Sequence, residues 1–211
     1  MKKTMTKIVC VRVCVLQSLL VLATAAGNAQ NVAHLAKLTA VAARVGETEI
    51  PVATLRTRAR MLASSPIADN DADLQSLQRR ALRQVIRETV LLKAADDEGL
   101  SVSDVDLSRG ILEMQAVAGQ SDDPSVRSAF DQAAGRLGVA VGQFSTDARA
   151  LAAYRRLWKL GAIRARIAER LPLEDRNDPA KLDNAIERYV SEWKEPIVIM
   201  SAGRQLAGEP Q

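Results

Sequence analysis

β-forming residues cluster at the two ends of this chain. Residues 41–50, VAARVGETEI, put β-branched and small apolar side chains on either side of Gly46, the pattern of two short strands about a turn. The next comparable run is IVIM at 197–200. Everything between the two reads as helix. A lone strand leaves its main-chain N–H and C=O groups without partners, so the last strand has one destination, the first two. The sequence therefore predicts a small sheet that ties the ends of a helical body together.

The helical reading rests on spacing. Pro51 suits the first turn of a helix, and VATLRTRARMLAS after it carries Leu55 and Leu62 at a helical interval. In residues 69–100, Leu74, Leu77, Ala81, Val85, Thr89 and Leu92 recur every three or four positions. Leu82, Ile86 and Val90 widen this into a broad apolar face, and Gly99 ends it. Burial of such a face, at roughly 1.5–3 kcal/mol per large aliphatic side chain, makes this helix the expected centre of the core. Ser103 is a candidate N-cap for the next helix, with Asp104 and Asp106 in its first turn. A shorter helix is expected over Val126–Leu137, then a long basic one from Phe144 with a buried stripe of Ala148, Leu151, Tyr154, Trp158, Ile163, Ile167 and Leu171 and a kink at Gly161. A last helix carries Leu182, Ile186, Tyr189 or Val190, and Trp193. Residues 201–211 read as a frayed tail. Only 3% of the chain is aromatic, so Ala, Leu and Val must do the packing.

The N-terminus reads as a targeting device. A basic stretch, MKKTMTKIVCVR, precedes an apolar run too short to span a bilayer comfortably, and the small residues Gly27 and Ala29 place cleavage after Ala29, with Ala23 and Ala25 as a second frame. The expected division is a signal peptide at 1–29, a flexible leader at 30–40, a core at 41–200 and a tail at 201–211. Cys10 and Cys14 leave with the signal, so the mature chain has no thiol. Of 29 Lys and Arg, Lys2, Lys3, Lys7 and Arg12 leave as well, which balances the remainder against 25 Asp and Glu and removes the main argument for nucleic-acid binding.

Chemistry-bearing patterns are scarce. The lone histidine, His34, lies in the leader, so no Ser-His-Asp or Cys-His arrangement has a base. Neither G-x-x-x-x-G-K nor G-x-G-x-x-G occurs. DNDAD at 69–73 opens like a calcium loop but then offers Leu74 where Gly is needed and Arg80 where a bidentate Glu is needed. Arg149, Arg155, Arg156, Lys159, Arg164, Arg166 and Arg170 give the basic helix a charged side, read as a solvated face paired with the acidic segments 69–73 and 96–98. Large or soft apolar residues mostly fall on the stripes of their own helices. Met61, Met114 and Trp158 are the candidates for a peptide-binding groove.

VAARVGETEIPVATLRTRARML (41–62) and LRQVIRETVLLKAADDEGLSVSDVDLSRGI (82–111), with a looser match at AYRRLWKLGAIRARIAERL (153–171), resemble the SurA N-terminal domain family of periplasmic chaperones. That resemblance implies a mainly α, SurA/trigger-factor-like chaperone core closed by a small sheet of N- and C-terminal strands. In that family, parvulin-type prolyl isomerase modules interrupt the core, and a returning helix and strand complete it. DNAIERYVSEWKEPIVIM (183–200) resembles the returning part, so LPLEDRNDPAKL (171–182) sits where the modules would be inserted. About a dozen residues cannot hold a domain of on the order of 50. The resemblance thus implies an ATP-independent periplasmic chaperone without isomerase activity or cofactor. Its expected partners are unfolded secreted or outer-membrane polypeptides, with neither nucleic acid nor stable membrane insertion after signal removal. The rival reading is an envelope adaptor that binds one folded partner through the same core.

Overall fold

A computed structural model describes residues 40–63 and 73–208. The expected signal, leader, cleavage site at Ala29 and His34 lie outside these residues, as does most of the DNDAD segment. The described residues fall into two compact units, one comprising residues 40–63, 73–99 and 162–208 and the other residues 100–161.

The first unit holds the sheet. Strands β1 (Val41–Val45) and β2 (Thr48–Pro51) form an antiparallel hairpin, and β3 (Ile197–Ile199) pairs antiparallel with the other side of β1. The order is therefore β2-β1-β3, with Ala43 opposite Ile199 and Val45 opposite Ile197. The expected closure of the sheet by the last strand is present. Gly46 turns the hairpin at φ 57°, a left-handed conformation that suits glycine, and its N–H donates to the Pro196 carbonyl at 3.0 Å. Pro51 ends β2 instead of opening the helix that follows.

Helices α1 (Val52–Ala63) and α2 (Leu74–Asp97) pack against this sheet. Asp73 caps α2 by accepting from the Ser76 N–H at 2.5 Å, so the one described member of the acidic loop has a local structural role. Leu77, Ala81, Leu82, Val85, Ile86, Thr89 and Val90 are buried as the spacing predicts, whereas Leu74 is exposed in the first turn. Ala42, Ala43, Val45, Ile50, Val52, Leu55 and the middle of α2 form the main core of this unit, against which Tyr189, Trp193 and Ile199 pack. Arg58 and Glu88 join α1 to α2 at 2.7 Å.

After α2, the chain leaves this unit at Gly99 and returns at Ala162 within helix α5 (Ala148–Glu169). The joint after that helix is a series of turns held by its own side chains. Arg176 donates to the carbonyls of Leu171 and Glu169, Lys181 pairs with Asp175, and Asp178 caps α6 (Pro179–Ser191). Arg87 of α2 binds both Asp183 and Glu187 of α6, at 2.6 and 2.9 Å.

The expected tail needs correction. Ser201–Ala207 is a helix, α7, whose Gly203 and Ala207 are buried against β1 and α2. Ala202, Gly203, Leu206 and Ala207 place small and apolar residues on one face, and Gly208 at φ 70° ends the helix. The Met200 N–H donates to the Ala42 carbonyl at 2.9 Å, so β3 passes into α7 without leaving the sheet.

The second unit is helical. It contains α3 (Asp104–Gly119), α4 (Pro124–Leu137), a single 3-10 turn (Val141–Gln143) and the start of α5 (Ala148–Glu169), which runs through Gly161 as one helix. Ser103 caps α3 as expected, accepting from the Asp106 N–H. The core gathers Ile111, Met114, Ala118, Phe130, Ala133, Ala134, Phe144, Ala150 and Leu157, with Phe130 and Phe144 meeting edge to face at 5.8 Å. Ala150 and Leu157 are the deepest residues in this part of α5. Leu151 and Tyr154 flank them, Ala148 is exposed and Trp158 is half-buried, so this part of the stripe is rotated from the expected one, whereas Ile163 and Ile167 further along are buried as expected. Tyr154 is drawn over Gly110 of α3, where the missing side chain leaves room for its ring.

Candidate functional site

Among the described residues, the three-stranded sheet has an open outer side at β3. In an antiparallel ladder successive residues direct their main-chain groups alternately to the two neighbours. Pro196 and Met200 bond to β1, so Val198 does as well, and Ile197 and Ile199 turn their main-chain groups outward. The Arg204 guanidinium occupies the Ile199 carbonyl at 3.0 Å. Ile197 and Val198 are 36% and 48% exposed, on opposite faces of the strand. Short length and a neighbouring arginine limit how much chain can pair with this edge at once.

Beside this edge lies a depression of about 270 Å³ lined by Ser76, Arg79, Leu82, Arg83 and Ile86 of α2, Ile199 of β3 and Ala207 of α7. Of the sheet, only the edge strand contributes to it. Its floor is apolar, with Leu82, Ile86 and Ala207 buried, and its rim carries two exposed guanidinium groups one helical turn apart.

A second depression of about 340 Å³ lies at the other end of α2, lined by Ala94, Asp97, Glu98, Arg170, Tyr189, Glu192, Trp193 and Lys194. Here the charges are matched. Glu98 meets Arg170 at 3.3 Å and Asp97 meets Lys194 at 2.9 Å, while the two cations also lie over the Tyr189 and Trp193 rings. Burial, and after it the Glu98 carboxylate, pushes the Tyr189 hydroxyl above its usual range. Hydrogen bonding to Asp97 holds the Lys194 ammonium above its own. This second site is an ion-paired cover over two aromatic rings, with both of its cations already paired.

The candidate groove residues are divided between the two units. Met61 is half-buried on α1 in the sheet-bearing unit, whereas Met114 and Trp158 belong to the helical unit. Met114 is only 3% exposed and forms part of that unit's core, so it cannot line an open groove. Its place is set by tertiary packing against α4 and α5, which one helix's spacing does not reveal. Among the basic residues expected to face the acidic segments, Arg170 pairs with Glu98, while Arg149 and Arg166 pair with the nearby Asp147 and Glu169, and Arg155 and Arg164 pair with the more distant Asp104 and Asp183. Among the described residues no group of three or more His, Cys, Asp and Glu could hold a metal ion, and no helix is long and apolar enough to cross a membrane.

Sequence reasoning missed Arg79, Arg83 and Ala207 as parts of a site. Ala207 was legible in principle from the helical spacing of SAGRQLAG, but the arginines carry no motif.

A mainly helical chain with a small antiparallel sheet agrees with the comparison to known families. A family model described as a SurA-like N-terminal domain matches residues 1–157. The chain belongs to the SurA-like N-terminal domain family. Membership relates it to a chaperone family and so to protein partners in general. No curated protein and no solved structure matches the chain. The SurA-like match ends within α5, so the joint, α6, β3 and α7 lie beyond it. The edge strand and the helix that flanks the arginine-rimmed depression therefore belong to the part of the chain outside the family match.

Proposed function

We propose that this SurA-like protein is an ATP-independent periplasmic chaperone that holds extended or unfolded segments of secreted or outer-membrane proteins and has no isomerase activity. The observation that carries the reading is the open outer side of β3 with Ile197 and Val198 exposed on it. An extended polypeptide added there gains main-chain hydrogen bonds, each worth about 1 kcal/mol net, which are indifferent to client sequence. The short joint between α5 and α6 supports the absence of isomerase modules, since it is filled by its own turns. The absence of a nucleotide motif favours release by modest affinity, in competition with the client's own folding.

The test is suppression of aggregation of several unrelated unfolded proteins by the mature chain, measured by light scattering without nucleotide. Suppression across the set is expected. Saturable binding to one folded partner without suppression would instead favour an envelope adaptor. Prolyl isomerisation of a model peptide at the uncatalysed rate is the accompanying expectation.

A further inference from the structure

The arginine-rimmed depression suggests which extended segments bind best, an inference that rests on the holding function proposed above. Arg79, Arg83 and Arg87 stand one turn apart along α2. Arg87 is committed to Asp183 and Glu187, whereas no described carboxylate pairs with Arg79 or Arg83. These two guanidinium groups overhang a floor of Leu82, Ile86, Ile199 and Ala207 that adjoins the open strand.

A strand added along β3 points every second side chain toward the α2 side of the sheet, where Ile199 packs into the core. Neighbouring side chains on that side are roughly 7 Å apart, close to the rise of one helical turn between the two arginines. We propose that the depression is a subsite for an acidic side chain of a bound extended polypeptide, with an apolar side chain two residues away lying on the floor. Guanidinium groups recognise carboxylates through paired N–H donors, and an apolar floor lowers the local dielectric around the contact.

Charge argues against the chain's own leader as occupant, since residues 30–39 contain Lys37 and no acid. A membrane or nucleic-acid surface would ask for a wider basic patch than two arginines beside an apolar trough.

The experiment uses fluorescein-labelled ten-residue peptides of alternating apolar and polar residues, with Glu, Gln or Lys at one apolar-face position, titrated with the mature chain at low salt and read by anisotropy. The Glu peptide should bind about tenfold more tightly than the Gln peptide, and the Lys peptide more weakly than either. In the R79Q/R83Q variant the Glu advantage should vanish while Gln-peptide affinity stays unchanged. Methylating the peptide amides that face β3 should abolish binding of all three. Unchanged circular dichroism will establish that the variant is folded, as both side chains are exposed.

Equal binding of the Glu and Gln peptides, or a Glu advantage that survives R79Q/R83Q, overturns the subsite. Tighter Glu-peptide binding after Glu209→Gln would identify the chain's own tail as the occupant, and self-association lost in R79Q/R83Q would identify a second copy. Either result also overturns it. Aggregation suppression without any charge preference would sink the subsite and leave the holding function standing. The reverse pattern would do the opposite.

Discussion

Replacing Gly203 with alanine should destabilise the protein although it improves a helix. In α7 the position faces β1, and a Cβ built there would lie 2.1 Å from the Ala42 carbonyl oxygen, 2.9 Å from its carbon and 3.2 Å from Ile199 Cγ2. Backbone cannot yield as a flexible side chain can, so α7 must withdraw by about 1 Å to restore ordinary packing distance. Ala202, Leu206 and Ala207 then lose contact with the core they cover. Overpacking of this kind costs typically 1–3 kcal/mol, against a helix-propensity gain of about 1 kcal/mol for Gly to Ala. The net expectation is a loss of up to about 2 kcal/mol. Gly161 provides the control. It is exposed within α5 with no atom within 4 Å of its built Cβ, so G161A should keep the propensity gain. The two variants should therefore differ by the overpacking cost, roughly 1–3 kcal/mol. With a urea dependence of about 2 kcal/mol per molar, their unfolding midpoints by circular dichroism should lie about 0.5–1.5 M apart. A Gly203→Ala midpoint equal to or above that of Gly161→Ala would refute the docking of α7 on β1.

Two further perturbations probe the same unit. Gly46→Ala meets both a φ of 57° and the Glu195 carboxylate at the turn, and should lower stability by about 1–2 kcal/mol, read as a lower urea midpoint. Tyr189→Phe should remove an absorbance step that lies above pH 10 in the phenolate titration of the folded chain, since burial raises this hydroxyl from 10.0. Because the folded state holds that proton more tightly, the associated stability is complete below about pH 10 and is lost as pH rises through the displaced value. The wild-type chain should therefore lose stability faster than Y189F above pH 10, measured by urea midpoints across that range.

Much of the fold was legible because its signals are local. The hairpin around Gly46, the apolar face and Gly99 stop of α2, and the Ser103 cap of α3 each need only neighbouring residues to specify them. Even the long-range pairing of β3 with β1 followed from the sequence by elimination, since only one other pair of strands existed to receive it. The membership of the SurA-like family was legible on the same stretches.

Other features depended on what each helix meets. The α5 stripe settled on Ala150 and Leu157 because Phe144 and the α3 and α4 side chains fill one direction and Tyr154 lies over Gly110 in another. Met114 was chemically suited to a groove but packs into a core. Residues 201–207 form a short helix, whose stability depends on docking more than on propensity, and Gly203 permits that docking by its lack of a side chain. The pairing of Arg79 and Arg83 with Ile199 and Ala207 spans more than a hundred positions of sequence. Spacing along one helix determines which residues share a face. Tertiary structure alone decides whether that face meets another element, an ion partner or an open edge.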